Sequence, residues 1–172
     1  MENQNAPFEK TILPHLDAAF NLARWLAGNE PDARDIVQEA CLRALKAFAQ
    51  FRGGDARAWL LSIVRNAAFT SLRKRGAREQ VFDGSEDLET FSDPAPDAAE
   101  TLQRTATIET VRNAIAQLPD EFREVIVLRE MENLSYKEIA DVVSAPIGTV
   151  MSRLARGRRE LQKALLENHE LR

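Results

Sequence analysis

A single cysteine, Cys41, stands in this chain of 172 residues, so it can form neither an internal disulfide nor a cysteine-based metal centre. Only two histidines occur. His15 and His169 lie far apart in sequence, and neither has a ligand partner at the i+3 or i+4 spacing. There is no glycine-rich loop that would cradle a phosphate, and no stretch alternates apolar and polar residues as a half-buried strand does. No apolar run approaches the roughly 20 residues that cross a bilayer. The opening segment, Met1 to Lys10, lacks both the basic and the apolar parts of a secretory signal. These absences predict a cytoplasmic protein without membrane insertion, cofactor, metal or enzymatic reaction of its own.

Charge is present in quantity, but unevenly. The sum is −4. Residues 1–76 hold 11 Lys and Arg against 8 Asp and Glu, residues 77–107 hold 2 against 8, and residues 108–172 hold 10 against 11. Within the last segment, Ser144 to Gln162 has four Arg and one Glu. Two helical blocks joined by an acidic tether account for this distribution.

Periodicity agrees. A first helix is predicted from Phe8 to Ala27, with Pro14 near its first turns and Gly28 as its stop. A second begins at Pro31, its dipole complemented by Asp32 and Asp35, and buries Ile36, Val37, Ala40, Cys41, Ala44, Leu45 and Phe48. Cys41 on that apolar stripe is an inert thiol rather than a redox sensor. Phe51 to Asp55 reads as a loop with Asp55 as the next N-cap. The third helix buries Trp59, Leu60, Ile63, Val64, Ala67 and Leu72 and ends in Arg73-Lys74-Arg75-Gly76. Trp59 is expected in the core and not as a stacking platform.

Residues 77–107 carry Gly84, Pro94, Pro96 and few large apolar groups, which predicts a flexible linker, with a short helix allowed around Pro96 to Gln103. Beyond it Ile108, Val111, Ile115 and Leu118 share one face, and Pro119 opens a helix burying Phe122, Val125, Ile126 and Met131. Ser135 and Glu138 have the spacing of a capping box. A short helix from Tyr136 to Val143, a turn at Ser144-Ala145-Pro146 and a long Arg-rich helix from Ile147 to Leu166 make the sequence form of a helix-turn-helix. Ile139, Ala140 and Val143 are expected to pack on Ile147, Val150 and Leu154, and Tyr136 to pack at the base of the motif. Thr149, Ser152, Arg153 and Arg156 then face a major groove, with Arg158 and Arg159 within reach of phosphates.

Several of these segments carry a resemblance. Leu118-Pro119-Asp120-Glu121-Phe122-Arg123, Leu134-Ser135-Tyr136-Lys137-Glu138-Ile139-Ala140, Pro146-Ile147-Gly148-Thr149-Val150 and Ser152-Arg153 are similar to the sigma-four domain of extracytoplasmic-function sigma factors. Asp35-Ile36-Val37-Gln38-Glu39-Ala40, Phe51-Arg52-Gly53 and Trp59-Leu60 resemble their sigma-two domain. The ordered set covers both blocks, about 80% of the chain.

That resemblance implies an all-α protein. A sigma-two-like domain would occupy 1–76, an acidic linker 77–107, and a sigma-four-like helix-turn-helix domain 108–172. It implies core RNA polymerase, promoter DNA and an anti-sigma factor as partners, and a stress or environmental response. Polymerase contact falls to Asp35, Gln38 and Glu39. With Leu42 these also form one outward face by spacing alone. The minus-ten reader falls to Arg52, Gly53, Gly54, Asp55 and Asn66, with Arg73, Lys74 and Arg75 steering the backbone. The minus-thirty-five reader falls to Thr149, Ser152, Arg153, Arg156 and Arg159. One departure matters: many relatives are basic where Met151 stands and bulky where Ala155 stands, so their preference cannot be transferred. A stand-alone helix-turn-helix repressor and a decoy that titrates an anti-sigma factor are the alternatives.

Overall fold

A computed structural model describes residues 5–79 and 100–170, with side chains over 5–77 and 106–168. Every regular element among the described residues is helical. The first block contains α1 (Ala6–Ile12), α2 (Leu16–Ala27), α3 (Glu30–Ala47) and α4 (Ala56–Glu79). The expected first helix is split at a 3-10 turn over Leu13–His15, because Pro14 has no N–H to donate and its ring crowds the preceding turn. Gly28 closes α2 at φ +82°, its N–H donating to the Arg24 carbonyl at 2.9 Å. The Asn29 side chain caps α3 by accepting from the Asp32 N–H, with Pro31 in the first turn. Ala33, Ala40 and Ala44, all buried, let α3 lie close against α2 and α4, while Leu22, Leu60, Leu61 and Val64 fill the centre. Burying each of these larger groups contributes roughly 1.5–3 kcal/mol.

The second block contains α5 (Glu100–Ala116), α6 (Asp120–Ile126), α7 (Tyr136–Val143) and α8 (Ile147–Glu170), with a π-helical turn over Val127–Met131 after α6. Helix α4 thus runs three residues past Gly76, and α5 begins inside the segment read as linker. Residues 80–99, most of that segment, lie outside the described residues, as does part of the short helix expected at 96–103; its remainder is the first turn of α5. The Arg123 guanidinium satisfies the end of the α5 region by donating to the Leu118 carbonyl at 2.7 Å, and burial holds its pKa below the usual value. Gly157 is buried where α8 crosses α6. A methyl group there would stand 3.1 Å from Ile126 Cγ1 and 3.3 Å from Phe122 Cβ, a tight contact to which these side chains would have to yield.

Four residues expected inside are exposed instead: Leu45, Ile108, Met131 and Ile147. Each sits at the margin of its helix's apolar sector. Ile108 and Met131 border a cavity of about 340 Å³ between the two blocks, together with Asn21, Trp25, Val111 and Ile115.

The blocks touch. Helix α4 packs along α7, and α2 packs along α6 and the π-helical turn.

Candidate docking and nucleic-acid interfaces

The outward face of α3 is presented as its spacing requires. Asp35, Gln38, Glu39 and Leu42 are all exposed, Leu42 by 51%. Arg43 donates to Glu39 at 2.7 Å, and this neighbour holds the Glu39 carboxyl below its usual range. Beneath this face the half-buried Cys41 thiol is pushed up by desolvation, away from the reactive thiolate.

The loop before α4 is positioned by aromatic packing. Phe51 lies 4.9 Å from Trp59 and 6.0 Å from Phe48, centroid to centroid, and Phe8 meets Phe48 edge-on at 5.4 Å. Trp59 therefore anchors the loop from inside. Gly53 and Gly54 follow at φ +87° and +95°, two successive left-handed residues that only glycine adopts readily. They turn the exposed Arg52 to Asp55 outward, and the Asp55 carboxylate accepts from the Ala58 N–H at 3.1 Å as the α4 cap.

Two turns of α4 further on from Trp59, Asn66 is exposed. At the far end Arg73 and Lys74 are exposed, while Arg75 is tied to Asp32 of α3 and is less available for a phosphate.

In the helix-turn-helix, the capping box forms in full. Ser135 Oγ accepts from the Glu138 N–H at 3.1 Å, and Glu138 Oε2 accepts from the Ser135 N–H at 2.6 Å. Ser144 ends α7 at φ +53°, and Ala145 donates to the Ala140 carbonyl at 3.1 Å. Tyr136 receives the Arg129 guanidinium over its ring at 5.1 Å. Val150 and Leu154 are buried beside Ile139, Val142 and Val143, which leaves Ile147, Gly148, Met151, Ser152, Ala155, Arg156 and Arg159 on the outer face of α8.

Thr149 is half-buried, and Arg153 leans back toward α6, 3.9 Å from Glu124 and 4.0 Å from Glu121. Arg158 is held by Glu130 at 2.7 Å, a bond that raises its pKa. Of the five residues expected to read duplex DNA, Ser152, Arg156 and Arg159 thus stand exposed, with the Ser152 hydroxyl donating to the Thr149 carbonyl at 3.0 Å, and Arg153 is braced by carboxylates.

Sequence reasoning missed the groups that join the blocks. Arg65 of α4 donates to both carboxylate oxygens of Glu124 on α6, at 2.8 and 3.2 Å, and lies 4.6 Å over the Phe69 ring. Glu124 is only 1% exposed. Burial raises its pKa, and Arg65 and then Arg153 pull it back. Asn21 of α2 donates to Glu132 at 2.6 Å. Asp55 and Glu138, each at the start of a helix, also meet. The side-chain hydrogen bond between them keeps the Asp55 carboxyl below the usual carboxylate range, opposed by burial and aided by the N–H groups of Ala58 and Arg57. The one signal in the sequence was Glu124 itself, a carboxylate set directly before the apolar run Val125 to Leu128.

Among the described residues no three metal-ligating side chains come together, and no helix is long and apolar enough to cross a membrane.

Residues 11–78 match Sigma-70 region 2, and residues 108–161 match Sigma-70, region 4. The chain is 36% identical to the RNA polymerase sigma-H factor of Pseudomonas aeruginosa over 92% of its own length and 86% of that protein's. It is 32% identical to the ECF RNA polymerase sigma factor SigE of Mycolicibacterium smegmatis over 94% of its length, and there it spans 62% of the relative. Its structure is similar to the sigma factor RpoE of Bartonella quintana, solved in complex with the anti-sigma factor NepR. The TM-score is 0.78 at 30% identity, over 92% of this chain and 96% of that one. CnrH, solved with the cytosolic domain of CnrY, superposes with a TM-score of 0.64 at 27% identity, over 97% of this chain and 91% of that one.

Proposed function

Because the chain belongs to the extracytoplasmic-function group of sigma-70 RNA polymerase sigma factors, we propose that its two helical blocks divide promoter recognition between them. As a sigma factor it binds core RNA polymerase and directs promoter-specific transcription initiation. It works in the cytoplasm, in a stress or environmental response, and its other partner is an anti-sigma factor. It has no reaction of its own. Unwinding follows from differential binding: capture of unpaired bases draws the duplex-melting equilibrium forward.

In this reading residues 1–76 form the polymerase-docking and minus-ten domain, and residues 108–172 the minus-thirty-five domain. Asp35, Gln38, Glu39 and Leu42 dock on polymerase. Arg52, Gly53, Gly54, Asp55 and Asn66 receive the melted strand, and Arg73 and Lys74 hold its phosphates. Ser152 and Arg156 face base edges, Arg159 a phosphate, and Thr149 and Arg153 support the helix from its flank. The observation that carries this division is the simultaneous exposure of the α3 face and the outer α8 face, on opposite blocks of one chain.

The contact between the blocks has a mechanical meaning. Elements named for positions ten and thirty-five lie roughly 25 base pairs apart, about 85 Å of duplex at ~3.4 Å per step. A compact chain of this length has a radius of gyration of about 16 Å. The blocks must therefore part before both elements are held, and Arg65 must leave Glu124.

The decisive experiment replaces Asp35, Gln38 and Glu39 together by Ala. Exposed positions shift stability by less than about 0.5 kcal/mol each, so thermal unfolding stays almost unchanged. Core-polymerase affinity falls at least about tenfold, and run-off transcription falls with it. Normal holoenzyme assembly by the triple variant would remove α3 from the docking role.

A further inference from the structure

The outer face of α8 carries an apolar strip. Ile147 and Met151 are 45% and 52% exposed, one helical turn apart, and exposed Ala155 continues the line. Ser152, Arg156 and Arg159 run beside it on the same face. Ile147 does not join the core formed by Ile139, Val143, Val150 and Leu154, although its position next to the turn would allow it. Gly148 sits between these side chains with open space where a Cβ would be, so nothing inside the protein requires glycine there. Its bare backbone lets an outside surface approach the start of the helix.

The flanking arginines fix what that surface is, since a basic helix of a helix-turn-helix meets duplex DNA. In the major groove, hydrogen-bonding edges answer Ser152 and Arg156. The one apolar feature a base presents there is the C5-methyl group of thymine. We propose that Met151, flanked by Ile147, reads thymine in the upstream promoter element through this methyl group, and that it is a specificity-determining residue of this chain. The inference rests on the assignment of α8 as the minus-thirty-five reader and adds the chemistry of what it reads. A lysine or arginine at position 151 would seek a phosphate or a guanine; a thioether cannot. Burial of one methyl group from water is worth about fourfold in affinity.

The test uses holoenzyme reconstituted from this chain and core polymerase. Duplexes with a randomised upstream element are selected for binding, and the thymines of the selected element are replaced one at a time by deoxyuridine, which lacks only the methyl. Wild-type holoenzyme is expected to lose about fourfold at one or two positions. The Met151→Ala variant binds the thymine duplex less tightly and is indifferent to uracil at those same positions, and Met151→Lys selects an element without the thymine. Met151 is exposed, so both variants keep the fold, which circular dichroism checks. Two results overturn the inference: a selected element without thymine opposite the helix, or an equal uracil penalty in wild type and Met151→Ala. Failure of the holoenzyme to select any upstream element would overturn the assignment of α8 itself, and is distinguishable because no sequence then emerges.

Discussion

Helices α4 and α8 are each 24 residues long, and each carries one of the two proposed reading surfaces, yet they are held in opposite ways. Helix α8 lies on one side of its block and leaves its outer face to solvent. Helix α4 is enclosed. Helices α2 and α3 cover its apolar side, α7 lies along another, and two of its polar groups, Asp55 and Arg65, are engaged by Glu138 and Glu124 of the second block. On the proposed division of labour, the duplex reader is ready as it stands, whereas the single-strand reader is bordered by its own partner domain. Readiness follows substrate: duplex DNA is always there to meet, and a melted strand exists only once polymerase has been engaged.

The largest effect is expected at the ion pair that separates these two situations. Removing one member of a buried pair costs about 3–5 kcal/mol, enough to shift closure by more than a hundredfold. Arg65→Glu should therefore open the free chain, raising its radius of gyration in X-ray scattering well above about 16 Å. The double variant Arg65→Glu with Glu124→Arg should recover part of the compact form. A compact Arg65→Glu chain would break the contrast between an enclosed and an open helix.

A smaller effect sharpens the contrast from the other side. Gly157→Ala forces a methyl group against Ile126 and Phe122, and overpacking of this kind costs about 1–3 kcal/mol. The loss belongs to the second block. Hydrogen exchange should quicken in α6 and α8 while α2 and α3 keep their protection, and upstream-element binding should weaken with core affinity intact. Equal loosening of both blocks would show that they fold as one unit.

The smallest effect concerns pH. Burial raises the Glu124 pKa in the folded chain above its ordinary value. Its contribution to stability is then fully present below the ordinary carboxylate pKa and is lost as pH rises through the raised value. The melting temperature of the wild type relative to Glu124→Gln should fall as pH climbs from 4 to 8. A constant difference would mean that Arg65 and Arg153 fully offset the desolvation.

Much of this was legible in the residues. The caps at Gly28, Asp55 and Ser135, the glycine pair of the loop and the turn at Ser144 are local chemistry, and each forms where its residue type demands. The exposed α3 face follows from spacing alone. Pro14 was legible too, but its consequence was underrated: it splits the first helix. What did not show was anything decided by a neighbour distant in sequence. Arg65 and Glu124 are 59 positions apart, and nothing in either helix names the other. Arg153 and Thr149 looked outward by periodicity, and only the carboxylates of α6 turn Arg153 aside. Ile147 and Met131 have the composition of core and the position of surface.

The division of labour along α8 has an evolutionary consequence. Val150, Leu154 and Gly157 hold the helix to its block, and the residues proposed to meet DNA are a disjoint set. Substitutions in the second set change folding free energy by no more than about 0.5 kcal/mol each. The promoter vocabulary of such a chain can drift almost without selection from stability. After gene duplication, two copies can come to address separate sets of genes while sharing one fold and one docking face on the polymerase.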